Sequence, residues 1–136
     1  MINNCTFALI IEEYEYIWEV KTLLTAAKKS STVNWTIPES FLLEWSWEEE
    51  DVATHVERCL EADLSYPILV WDDKILDGSH RAVKALALGQ SEVKAKVIRD
   101  IPAPDKILDF DSSNYEDNTK HNFKDIVEIV KAKLSL

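Results

Sequence analysis

Four kinds of reactive side chain meet in one five-residue stretch, Asp77-Gly78-Ser79-His80-Arg81. It offers a carboxylate, a hydroxyl, an imidazole and a guanidinium. Gly78 is one of only two glycines in 136 residues, and glycine lets a backbone approach a ligand closely. His80 can donate a hydrogen bond to an anion, and Arg81 can bind two of its oxygens in a fork. We therefore predict an anion site, with phosphate as the obvious ligand.

The flanking sequence predicts how this motif is held. Two strands, over residues 66–71 and 74–77, are separated by the turn residues Asp72-Asp73 and lead into the motif. A helix over 79–88 follows, with Ser79 as a candidate cap and Gly89 at its end. The first amides of a helix have no partner within it and lie at the positive end of its dipole, which favours an anion there.

The same residues also allow a purely structural interpretation. Ser79 would then cap the helix, His80 would hydrogen-bond to the core, and Arg81 would pair with Asp77. Sequence alone leaves the two interpretations open.

The rest of the chain predicts one α/β domain of the α+β type, with a small mixed sheet surrounded by helices. Apolar residues at three- and four-residue steps predict an amphipathic helix over 11–29. The remaining predictions are helices over 48–62 and 123–134, strands over 32–37 and 93–99, a short edge strand over 107–110, and a loop over 111–122.

The composition limits the classes of molecule that this protein is expected to bind. The net charge of -10 disfavours direct binding of nucleic acid or of an anionic membrane. Residues 67–106, which hold the motif, carry seven basic and six acidic side chains and are the only segment with a positive balance. No apolar run approaches a membrane span and the start does not resemble a signal peptide, so we expect a cytoplasmic protein. Cys5 and Cys59 lack paired spacing and are expected to be small buried residues.

The region around the motif resembles the ParB/sulfiredoxin-like superfamily. Many members carry D-G-x-H-R after a strand pair, and Asp77, Gly78, His80 and Arg81 match its fixed positions. An upstream helix with His55 and Arg58 also resembles the family's layout. The resemblance covers about residues 34–105, so the helices at 11–29 and 123–134 would be additions to that core.

This resemblance implies a nucleotide site at Gly78, Ser79, His80 and Arg81, with ATP or another nucleotide and Mg²⁺. Free-serine kinases of the superfamily further imply phosphotransferase or NTPase activity, with Asp77 and an upstream glutamate as the working carboxylates. Glu48, Glu49 and Glu50 are equally placed for that second role. Ser79 stands where sulfiredoxins have their cysteine, so sulfinic acid reduction is excluded. The weakly acidic sequence after residue 105 also argues against a DNA clamp.

An interaction protein that kept the fold without catalysis is the alternative function. Five tryptophans on an acidic chain suit a protein partner through an acidic, tryptophan-rich surface, and an acidic protein can also imitate a DNA backbone. The acidic run Glu48-Glu49-Glu50-Asp51 has two interpretations as well. It suits the first turn of a helix, where carboxylates face the positive end of the dipole, better than it suits a metal site.

Overall fold

The computed structural model describes residues 6–110 and 119–135. Its nine strands and five α-helices within these ranges confirm a mixed α+β fold. The strands are β1 Thr6–Ile11, β2 Tyr14–Glu19, β3 Thr32–Thr36, β4 Ser46–Glu48, β5 Ile68–Trp71, β6 Lys74–Asp77, β7 Glu92–Val97, β8 Lys106–Asp109 and β9 Lys120–Asn122. The helices are α1 Val20–Ala27, α2 Glu39–Glu44, α3 Val52–Glu61, α4 Ser79–Ala87 and α5 Phe123–Leu134, and a 3-10 turn, Glu49–Asp51, precedes α3.

A four-stranded mixed sheet in the order β3-β7-β5-β6 forms the centre of the molecule. β5 and β7 are parallel, whereas the other neighbours are antiparallel. Asp72 and Asp73 connect β5 to β6 with φ values of 48° and 58°. Positive φ at both central residues is typical of the tight turns that match strand twist, and Asp tolerates it better than most residues. This confirms the predicted strand-turn-strand unit.

Both faces of the central sheet are covered, which gives two cores. The first core lies between the sheet and helices α2 to α5, and it includes Ile68, Val70 and Ala95. The second core lies on the opposite face, where Leu69 and Leu76 meet Leu23 of α1 and Trp18 of β2. Because neighbouring strand residues point to opposite faces, Ile68 and Leu69 enter different cores.

The N-terminal region differs from its prediction. Instead of one helix over 11–29, residues 6–19 form the hairpin β1–β2, and only Val20–Ala27 is helical. Together with β8, the hairpin makes a three-stranded antiparallel sheet. Tyr14, Tyr16 and Trp18 alternate along β2, and aromatic side chains fit a pleated surface well. The residues that suggested helical spacing therefore also fit a strand, and packing of Phe7 and Trp18 in the second core favours the strand.

Other boundaries also differ in detail. The helix expected over 48–62 begins as the 3-10 turn and becomes α-helical only at Val52. Helix α2 was not predicted, and residues 120–122, expected to be loop, pair with β4 as strand β9. The rest of that expected loop, 111–118, lies outside the described residues. Three-residue strands such as β4 and β9 are too short to show a hydrophobic period.

All five tryptophans pack against the two cores, and Trp18 is the buried one. Trp18 is buried in the second core, where Trp71 also packs. Trp35, Trp45 and Trp47 pack against the first core. The other four tryptophans are only partly buried, so the acidic, tryptophan-rich interaction surface stays a prediction. Cys59 is buried as expected, and burial raises the pKa of its thiol to about 12, which makes it unreactive. Cys5 lies outside the described residues.

Among residues 6–110 and 119–135, no helix has both the length and the apolar character that spanning a membrane requires.

Candidate functional site

Gly78 begins α4 in a backbone conformation that requires glycine. It is the N-cap, with φ 106° and ψ 23°. A Cβ at this position would lie 2.8 Å from Cβ of Ile68 and 3.1 Å from Nη2 of Arg81. The absence of a side chain therefore lets the start of α4 touch β5. Ser79, expected as a capping residue, is instead the first residue of the helix, and α4 has no side-chain cap.

Arg81 connects the first turn of α4 to the residue before β5 and to the end of β6. Its Nη1 donates to the carbonyl oxygen of Pro67 at 2.9 Å, and its Nη2 donates to Oδ2 of Asp77 at 3.3 Å. The predicted structural pairing of Arg81 with Asp77 is therefore present. A guanidinium has five N–H donors, so Arg81 can keep these two bonds and still bond to a ligand. The structural and ligand-binding interpretations of Arg81 are thus compatible.

His80 belongs to a stack of rings from three elements. Its Nε2 lies 2.9 Å from Nδ1 of His55 in α3, close enough for a hydrogen bond. Both imidazoles lie nearly parallel to the indole of Trp47 in β4, with ring centroids 4.0 Å away for His55 and 5.2 Å for His80. Phe123 packs against the same indole, with centroids 4.4 Å apart. The stack therefore connects α3, α4 and β4 to the first core.

The stacked histidines are held neutral near pH 7. Burial lowers the pKa of His80 to about 4, and Coulomb repulsion with the charged forms of His55, Arg58 and Arg81 acts in the same direction. Burial and Arg58 also lower the pKa of His55, against a smaller opposite effect of Asp51. In two neutral imidazoles, one ring donates its N–H and the other accepts, as the hydrogen bond requires. Simultaneous protonation would leave two donors facing each other.

An open pocket of about 260 Å³ lies beside the start of α4. Its lining carries two guanidiniums, Arg58 and Arg81, and two carboxylates, Asp63 and Asp77. Gly78, His80, Ala62 and Tyr66 complete the lining. We call this the α4 pocket. It contains three of the four predicted ligand-binding residues, since Ser79 is not in the lining.

A second, more apolar pocket of about 410 Å³ adjoins the α4 pocket. The two share Tyr66, Asp77 and Arg81 in their linings. Leu24, Ala27, Pro67 and Leu69 provide its apolar wall, and Lys28 and Lys96 add positive charge. We call this the α1 pocket.

The predicted upstream carboxylates lie elsewhere. Within the part of the chain that the structure describes, Glu48 and Glu49 line a separate pocket with Glu50 and Thr119, and neither lines the α4 pocket. Carboxylate oxygens of Glu48, Glu50 and Asp51 lie within 4.8 Å of one another. Such acidic groups commonly gather at a helix start, where the dipole favours them. Only Asp77 of the predicted catalytic residues therefore lies at the α4 pocket.

Several residues of the site were not predicted in their roles. Trp47 supports both histidines, and Asp63 and Tyr66 line the α4 pocket. Lys84 donates from Nζ to the carbonyl oxygens of Leu60 and Ala62, at 3.0 Å and 2.8 Å, and so satisfies the end of α3. None of these contacts follows from local sequence, because each joins separate elements.

Comparison of the chain with protein-family models, with curated proteins and with solved structures finds no match. The resemblance of the motif to the ParB/sulfiredoxin-like superfamily therefore stays a prediction.

The two glycines of α4 give a first testable prediction. Gly89 has φ 84°, and a Cβ there would meet no atom within 4 Å, so Gly89→Ala should cost only backbone strain, about 1–2 kcal/mol of unfolding free energy. Gly78→Ala adds a clash with Ile68 and should cost more. Urea unfolding of both variants measures the difference, and equal losses would contradict the close contact.

The histidine pair predicts a pH dependence of stability. Because the folded pKa of His80, about 4, lies below its ordinary 6.5, the unfolded chain binds more protons between these values. The stabilisation is therefore complete above pH 6.5 and is lost as pH falls towards 4. Urea unfolding across this range should show the loss, and His80→Gln should flatten it above about pH 5, where few carboxylates titrate.

His121 provides the matched control, since it lies outside the stack. The wild-type pH dependence should persist in His121→Gln. If His80→Gln keeps the full slope, the paired imidazoles are not its source.

Proposed function

We propose that this protein binds a small phosphate-bearing ligand, of the nucleotide class, at the start of α4. The observation that carries the proposal is the α4 pocket itself. Two guanidiniums and a histidine line a cavity beside the glycine-led start of a nine-residue helix.

The backbone supports an anion at this position. Ala82 N is the first amide of α4 to find a helical acceptor, the carbonyl of Gly78 at 3.0 Å. The amides of Ser79, His80 and Arg81 precede it and have no acceptor within the helix. They lie at the positive end of the helix dipole, where a phosphate is stabilised. His80 also lines the pocket, and because its Nε2 faces His55, its Nδ1 is the nitrogen left for a ligand.

The adjoining α1 pocket supports a ligand larger than phosphate. Tyr66 stands between the two pockets and is 64% exposed, so its ring is open to stacking with an aromatic group. A nucleotide with phosphate in the α4 pocket would place its apolar ring towards Tyr66 and the wall of the α1 pocket. Lys28 and Lys96 at this wall add positive charge beside its apolar surface.

The carboxylates of the pocket favour a ligand bound with Mg²⁺. Asp63 and Asp77 would repel a bare phosphate, whereas carboxylate oxygens together with phosphate oxygens are the usual ligands of Mg²⁺. Asp63 is held by the amide and hydroxyl of Ser65, at 2.9 Å and 2.7 Å, and these bonds lower the pKa of its carboxyl. An ionised Asp63 is suited to this role.

Phosphotransfer or NTP hydrolysis has weaker support than binding. Asp77 is in place, but it already pairs with Arg81. Glu48 and Glu49 line a different pocket. The proposal is therefore a binding function, and the enzymatic activity implied by the family resemblance stays a prediction.

Ligand binding should raise the melting temperature. A ligand at about 100 times its Kd stabilises a folded protein by about 2.7 kcal/mol, which corresponds to a shift of several degrees. Melting with pyrophosphate, ATP and CTP, each with and without Mg²⁺, measures this shift.

Arg58→Gln should weaken binding by about tenfold, because it removes a charge-assisted hydrogen bond.

Arg99→Gln is the matched control, since Arg99 is exposed and lines another cavity. It should leave affinity unchanged. Arg81 is unsuitable for this test because its replacement also removes the bonds to Pro67 and Asp77. The absence of a shift with all three ligands, or equal effects of the two arginine variants, would contradict the proposal.

A further inference from the structure

A groove of about 770 Å³ runs between α3 and α5, away from the α4 pocket. Both helices leave the same strand pair, since α3 follows β4 through the 3-10 turn and α5 follows β9 directly. Because β4 and β9 are antiparallel, the two helices leave opposite ends of this pair, and the groove lies between them. Within its lining, Oε1 of Glu49 lies 3.7 Å from Nε2 of His121 in β9.

The floor of the groove is apolar. Val52, Val56 and Leu60 follow one another at four-residue spacing on α3, so they form one stripe along the helix. Val56 is buried, whereas Val52 and Leu60 are only partly covered. Ile129 of α5 faces them and is 36% exposed. Val52, Leu60 and Ile129 therefore leave apolar surface exposed between the two helices, where the apolar face of a third helix can pack.

The charges on the rim are unevenly distributed. Glu49 and Glu57 line the α3 side, about two helical turns apart, and Lys133 lines the α5 side. The chain as a whole carries a net charge of -10, so its surroundings also favour a positively charged partner. A helix bound in the groove would therefore have one flank next to acidic residues and the other flank next to a lysine.

We propose that this groove is a docking site for a basic amphipathic helix of a partner protein. The partner helix places an apolar stripe over Val52, Leu60 and Ile129. Lysine or arginine residues about two turns apart on its flank face Glu49 and Glu57. A carboxylate on the opposite flank faces Lys133. This surface does not use the ligand pocket, so the docking function stands independently of phosphate binding.

Two synthetic helical peptides test the proposal. They share one leucine stripe, and they carry either lysine or glutamate along the flank that would face α3. Fluorescence anisotropy at low salt should show the lysine peptide binding at least about tenfold more tightly than the glutamate peptide. Amide NMR shifts on titration should change along α3 and α5. Equal affinities, or no saturation at about 1 mM lysine peptide, would overturn the proposal.

Variants locate the peptide on the protein. Ile129→Glu places a charge on the apolar floor and should weaken the lysine peptide about tenfold or more. Ile107→Glu is its control, because Ile107 is an exposed isoleucine of β8, outside the groove. Equal losses in these two variants would overturn the proposal.

Charge reversal gives a test that misfolding cannot imitate. Glu57→Lys should weaken the lysine peptide and strengthen the glutamate peptide, since it changes the sign of the rim. A damaged fold would weaken both peptides. An unchanged preference for the lysine peptide would overturn the assigned role of Glu57 and, with it, the proposed orientation.

Discussion

The contact between the start of α4 and strand β5 is the constraint on which the rest of the site depends. Gly78 has no side chain, and Ile68 occupies the space that a Cβ would need. Arg81, in the first turn of α4, then donates to the carbonyl of Pro67 and the carboxylate of Asp77. Because this contact sets the position of the helix start, it also sets where the first-turn amides, His80 and Arg81 meet a ligand.

Helix α3 connects the two surfaces proposed to bind partners. His55 and Arg58 lie on the side of α3 that faces α4 and its pocket. Val52, Val56 and Leu60 lie on the side that lines the groove with α5. Two contacts hold it against α4: the hydrogen bond between His55 and His80, and the bonds from Lys84 to the last carbonyls of α3. Because α3 makes contacts on two of its sides, a shift that improved packing on one side would disturb packing on the other.

Local signals predicted the region around the motif well and the N-terminal region poorly. The turn at Asp72-Asp73 and the helix end at Gly89 follow from backbone conformations that few residues tolerate, so both could be recognised from sequence. Helix α5 matches its predicted bounds because its apolar spacing is unambiguous. The apolar spacing of residues 11–19 fits both a helix and a strand. The strand is favoured because it lets Phe7 and Trp18 pack in the second core. No window of neighbouring residues contains that information.

By itself, the sequence determined that a glycine-led helix follows a strand pair, that its first turn carries histidine and arginine, and that this segment is the least acidic part of the chain. These properties are local, since they depend on residue type and spacing. Only the tertiary structure decided that Trp47 and His55 stack with His80, that Glu48 and Glu49 lie outside the α4 pocket, and that α3 and α5 enclose an apolar groove. Each of these depends on distances between elements far apart in sequence, which are set by the packing of both cores around the central sheet.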